Sequence, residues 1–237
     1  MIFHSVKEGF SEDHVERAMG AARDLAISEE LDQRETGFSF FTNLAGVMKE
    51  NMGSMMDDLV PLLIEHMSTC DKKLLNDGMS QENLTSHILN TLKDEDPDED
   101  EDEDVLINFS TVVIDSKKAA IACLASLSNN CPESFFPHLK DALQIIMTET
   151  DSGHMGIRSD AISCLPHLFS SANHSFPIPH DFSVELLDGI LKLLEFHIVE
   201  DLDKPAAAKS CIALVVSVKT YPLRLNLGGL NNVYVLI

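Results

Sequence analysis

Between Asp94 and Asp104, ten of eleven residues carry carboxylates: Asp94, Glu95, Asp96, Asp98, Glu99, Asp100, Glu101, Asp102, Glu103 and Asp104. A block of like charges repels itself and stays extended and solvated. Nothing in it would bury one carboxylate beside another and so tune an acid against a base. Its chemistry is binding. It can attract Lys- and Arg-rich segments at long range and speed their encounter, an effect that fades as salt is added. The competing reading is a solvated acidic linker that only aids solubility.

Other chemical candidates are weaker. Cys164 and His167 stand at i and i+3 on one helix face, but zinc needs two further ligands. The stretch "CLPHL" also falls in an apolar stripe, so core packing is expected and no metal site. His66, His138, His174 and His197 are scattered through helices and turns. The methionines of "MKENMGSMM" match apolar positions further along the chain and read as core. No glycine-rich phosphate loop and no G-x-S-x-G elbow occurs, and Gly228–Gly229 is not followed by Lys or Ser/Thr. The expectation is a protein with no catalytic residue and no cofactor.

Composition narrows the class of partner. The net charge is −22 over 237 residues, and the run from 94 to 104 supplies less than half of it. So acidic a chain is repelled by nucleic acid and anionic membrane and attracted to basic proteins. No apolar stretch is long enough to span a bilayer as a helix, so no membrane insertion is expected. "MIFHSVKEGF" lacks the apolar core of a signal peptide. The five Cys, an odd number, fall mostly on apolar faces and read as reduced thiols of the cytoplasm or nucleus. The sequons at Asn83, Asn108 and Asn173 are then chance matches.

The elements around the run are helical. Apolar residues make up 44% of the chain, with no Trp and two Tyr, and Leu, Ala, Met and Ile dominate them. The chain also repeats. A shift of 80 overlays "LAGVMKENMGSMMDDLVPLLIEHM" (44–67) on "LASLSNNCPESFFPHLKDALQIIM" (124–147), pairing Leu44 with Leu124, Leu59 with Leu139 and Met67 with Met147. A shift of 41 carries Leu124 and Leu127 onto Leu165 and Leu168. Each copy reads as helix, turn, helix, with "NNCPES" as one turn because Pro cannot continue a helix interior. Neither helix can bury its apolar face alone, whereas stacked neighbours can. Pro166 should bend its helix and shape the curvature of the stack.

The expected organisation is helical repeats over 1–93 (a partial unit, a full unit and an extra helix) and an acidic disordered insertion over 94–108. Repeats follow over 109–220, and an irregular tail over 221–237.

A family resemblance rests on specific residues. "GIRSDAISCL" resembles the aliphatic–Arg–x–x–Ala opening of a HEAT repeat, with Ile157, Arg158 and Ala161 in place. Arg34, Lys117 and Lys204 hold the basic position in the other copies. The resemblance implies an all-α HEAT-repeat superhelical solenoid of antiparallel helix pairs with an acidic insertion loop. More narrowly, the insertion is followed by a D-x-K-x-x-A…L…F-x-P-x-L continuation at Asp115, Lys117, Ala120, Leu124, Phe135, Pro137 and Leu139. This resembles the middle of importin-beta (karyopherin-beta) nuclear transport receptors of the importin-four and importin-five branch, over residues 12 to 220.

What the resemblance implies is nuclear import. Basic cargo proteins (import signals, histones or ribosomal proteins) would bind an inner surface of second helices. Phe-Gly nucleoporins would bind the first helices, and the GTP form of the Ran GTPase would release cargo. The location would be cytoplasm, nucleus and nuclear pore. Two other readings use the same residues: a HEAT-repeat scaffold without a transport role, and an acidic chaperone for basic proteins.

Overall fold

A computed structural model describes residues 12–76, 101–174, 180–199 and 204–220. These are all-α, with eight helices of eleven residues or more: α1 Glu12–Ala26, α2 Leu31–Met48, α3 Met56–Asn76, α4 Glu101–Asn130, α5 Leu139–Glu149, α6 Met155–His174, α7 His180–Val199 and α8 Lys204–Thr220. The extra helix expected before residue 93, the run from Asp94 to Asp100 and the tail 221–237 lie outside the described residues.

The helices alternate in chain order between two rows. In the first row α2 packs on α4, α4 on α6, and α6 on α8. In the second, α1 packs on α2, α3 on α4 and α5, α5 on α6, and α7 on α6 and α8. The core runs between the rows. Phe38, Phe41, Ile121, Leu124, Leu127, Leu165, Leu168 and Phe169 fill it from the first row, and Leu63, Met67, Ile146, Ile190 and Leu194 from the second. Each such side chain stabilises by about 1.5–3 kcal/mol on leaving water. Met52, Met55 and Met56 are buried among them, as is Cys164.

Turn chemistry separates the helices. Pro132 opens a single helical turn, Pro132–Phe135, and a 3-10 turn, Phe136–His138, leads into α5. Glu50, in the 3-10 turn between α2 and α3, accepts from the Glu133 and Ser134 amides at 3.0 and 3.2 Å and from Ser134 Oγ at 2.8 Å. One carboxylate of the first unit thus caps the turn of the second. Cys131 Sγ donates to the Lys49 carbonyl at 3.1 Å, and Lys49 holds a positive φ of 51° at the end of α2. Between first-row helices, Ser126 donates to Thr42 O at 2.7 Å and Ser210 to Ile162 O at 2.9 Å.

The register of the repeat differs from the sequence reading. A shift of 80 pairs exposed Val47 (48%) with buried Leu127 (0%), and buried Met67 with exposed Met147. A shift of 83, which carries Arg34 onto Lys117, pairs buried residues with buried ones at Phe38 and Ile121, Phe41 and Leu124, Met56 and Leu139, Leu63 and Ile146, and His66 and Glu149. The two shifts differ by nearly one helical turn, so an apolar stripe overlays itself almost as well after the slip. The shift of 41 from α4 to α6 holds, with Leu124, Leu127, Leu165 and Leu168 all buried.

Candidate functional site

Of the acidic run, Glu101, Asp102, Glu103 and Asp104 occupy the first four positions of α4. The insertion expected over 94–108 therefore gives way to helix at Glu101. Two physical causes favour this. Val105, Leu106, Phe109, Val112 and Val113 continue the helical spacing of α4 toward its start. Carboxylates are also favoured in a first helical turn, where unpaired amides and the helix dipole supply positive potential.

Glu101 to Asp104 sit on a projecting pair of helices. With 83 as the repeat shift, the start of α2 at Leu31 corresponds to Ile114, so residues 101–113 of α4 extend past it by about 20 Å. α3 is 21 residues long where its counterpart α5 has 11. The base of the pair has its own apolar cluster of Leu31, Cys70 and Val113.

Below this cluster lies the polar centre of the molecule. Arg34 NH1 donates to His66 Nδ1 at 3.1 Å, and His66 Nε2 meets Ser116 Oγ at 2.8 Å. A guanidinium has only donors, so Nδ1 must accept and the ring is neutral with its proton on Nε2. The imidazole thereby joins α2, α3 and α4, with its ring tilted by 58° against Phe38 and the ring centroids 5.0 Å apart. One residue further on, Lys117 Nζ meets Glu149 Oε2 at 2.7 Å, joining α4 to α5. The two pairs have the same separation along the chain, so one clasp occurs twice in one register. The basic residue also folds back on the turn before its helix. Arg34 Nε donates to Ser28 O, and Arg158 NH1 donates to Ser152 O and Gly153 O.

The remaining chemistry is muted. Burial pushes the Cys123 and Cys131 thiols up to about 12 and raises those of Cys164 and Cys211. None of these four is therefore an activated nucleophile. Among the described residues no three His, Cys, Asp or Glu side chains converge as a metal set. An apolar cleft of about 170 Å³ opens between α1 and α3, lined by Ala26, Ile27, Phe41, Met55, Leu59 and Leu62, with the Arg23–Asp58 pair at its rim. Sequence reasoning missed this cleft and the partnering of His66 and Glu149. The recurrence of a polar residue at one fixed distance after Arg34 and Lys117 was the available signal.

No protein-family model, curated protein or solved structure matches this chain.

Proposed function

We propose that this chain is a HEAT-repeat segment of an importin-beta-type nuclear import receptor, and that residues 94–104 are its capture element for basic cargo. The observation that carries the reading is where the run falls. It leads into α4 on a projecting helix pair, between two units that share one internal register. A dense anionic element there attracts a Lys- and Arg-rich segment from beyond contact distance and holds it through several ion pairs. Each such pair in solvent contributes only about 0.2–1 kcal/mol, so affinity comes from their number. The alternating rows of helices support the solenoid reading, since a second row along one face provides a continuous surface for an extended partner. Cargo release by the GTP form of Ran, and contacts with Phe-Gly nucleoporins, follow from the resemblance to the family.

The test is a fluorescence titration of a Lys/Arg-rich import-signal peptide at several salt concentrations. The full chain is compared with a variant in which all ten acids of 94–104 become Asn or Gln. A loss of roughly tenfold or more, with a flatter salt dependence, is expected from removing several solvent-exposed pairs. Equal affinity and equal salt slope in the two proteins would overturn the assignment.

A further inference from the structure

A second candidate site is the apolar cleft between α1 and α3. Ala26 and Ile27 line it from α1, Leu59 and Leu62 from α3, and Phe41 and Met55 complete the lining. Phe41, Met55 and Leu59 are buried, whereas Ile27 is 56% exposed, so the lining runs from the core to the surface. The cleft exists because the joint between the two helices is loose. α1 is drawn onto α2, where a Cβ on Gly37 would lie 2.7 Å from Ala26 N, and it makes little direct contact with α3. One unit on, the same joint is shut. There α3 packs on α5, and His138 Nε2 meets Asp57 Oδ1 at 3.1 Å across it. The lining consists of described residues on every side. The chain continues beyond them from Glu12 and from Asn76, about 16 Å along α1 from Arg23 and about 21 Å along α3 from Leu62.

Size and charge indicate the occupant. The cleft holds about 170 Å³. Sites for whole small molecules run to about 300–1,000 Å³, which excludes a cofactor-sized ligand. An apolar cavity of about 150 Å³ takes up benzene, so one aromatic or leucine side chain is the right size. The rim is acidic. α1 and α3 each hold four acidic and two basic residues. Arg23 is spent on Asp58 at 3.5 Å. Asp24, beside Arg23, and Glu65, one turn beyond Leu62 on the same stripe of α3, are exposed and have no ion pair among the described residues. An acidic ligand would be repelled here, and a basic one steered in.

We infer that this cleft receives one aromatic or leucine side chain of a peptide whose neighbouring residues are Lys or Arg. The acidic run of 94–104 plays no part in it. Methionine-methyl NMR of the full chain tests this, with a peptide carrying one Phe between two Lys and a second in which that Phe is Ala. The Phe peptide should shift the Met55 methyl and leave that of Met67, further along α3, in place. It should bind roughly ten- to a hundredfold tighter than the Ala peptide, the span expected for burying one such side chain. Neutralising the ten acids of 94–104 should preserve that ratio. Leu62→Phe, which fills the mouth at a half-buried position, should abolish the Met55 shift, and Glu65→Lys should weaken binding about two- to fivefold. Equal affinity for the two peptides, an unmoved Met55 methyl, or binding indifferent to Leu62→Phe overturns the proposal. Binding that appears only after residues 1–11 are removed also overturns it, and assigns the cleft to the chain itself.

Discussion

Lys117 Nζ lies 2.7 Å from Glu149 Oε2 in the interior, with side-chain exposures of 0% and 2%. The pair bridges α4 and α5 one position from Ser116, whose hydroxyl reaches back to His66 of α3. Two adjacent residues of α4 thus bind the unit before and the second helix of their own unit. Removing one partner leaves an uncompensated buried charge, whereas replacing both removes the desolvation cost as well. Lys117→Met alone should cost about 3–5 kcal/mol, and Lys117→Met with Glu149→Leu should recover most of it. Urea unfolding of the two variants checks this. An equal loss in both would show that the charge pair does not set the energetics of the site.

Gly37 is required by close helix packing. A Cβ placed there would lie 2.7 Å from Ala26 N and 2.9 Å from Ala22 O, both backbone atoms of α1. Alanine favours a helix over glycine by roughly 1 kcal/mol, but the clash should outweigh this. Gly37→Ala is expected to destabilise by about 1–3 kcal/mol, the range for overpacked sites. Gly20→Ala, in open space on α1, should be neutral or stabilising. Thermal melts of the two variants measure the contrast.

The thiols should be slow to react. Cys70, Cys123, Cys131 and Cys164 are buried and Cys211 partly so, and none of the five is in a disulfide. With Cys123 and Cys131 pushed up to about 12, the thiolate fraction at neutral pH is minute. A thiol-specific chromogenic reagent should titrate five groups in denaturant. In the native protein only Cys211 should react quickly, and rapid native reaction of two or more would contradict the burial pattern.

Acid should weaken the fold from just above pH 6 downward. Burial lowers His167, and burial followed by the charges of Lys118 and Arg158 lowers His154, with Asp115 and Asp160 opposing. Both are below the unfolded value of about 6.5. Between the folded and unfolded values the unfolded chain binds more protons, so stability rises with pH there. The contribution is fully present above the unfolded value and is lost as pH falls through it toward the folded ones. His167→Gln should flatten the dependence of the urea midpoint between pH 7 and pH 5. An unchanged slope would show that His167 titrates normally.

Much of the architecture is legible in the residues alone. Apolar spacing marks the helices of both rows, "NNCPES" marks a turn, and Arg34, Lys117, Arg158 and Lys204 mark the first-row helices. Each of these is a local signal, set by backbone sterics or by the helical period. Other features depended on what lies across the fold. The shift of 80 and the shift of 83 are nearly the same helical phase, so only burial chose between them. Nothing near His66 or Glu149 in sequence shows that Arg34 or Lys117, in another helix, will lie against it. The start of α4 at Glu101 is a further case, because a run of carboxylates reads as loop until an apolar helix and its dipole extend beneath it. The sequence by itself determined which segments are helical and which faces are apolar, since period and turn residues act within a few positions. The tertiary structure alone decided which faces meet and which polar groups are paired, because those depend on contacts between segments distant in the chain.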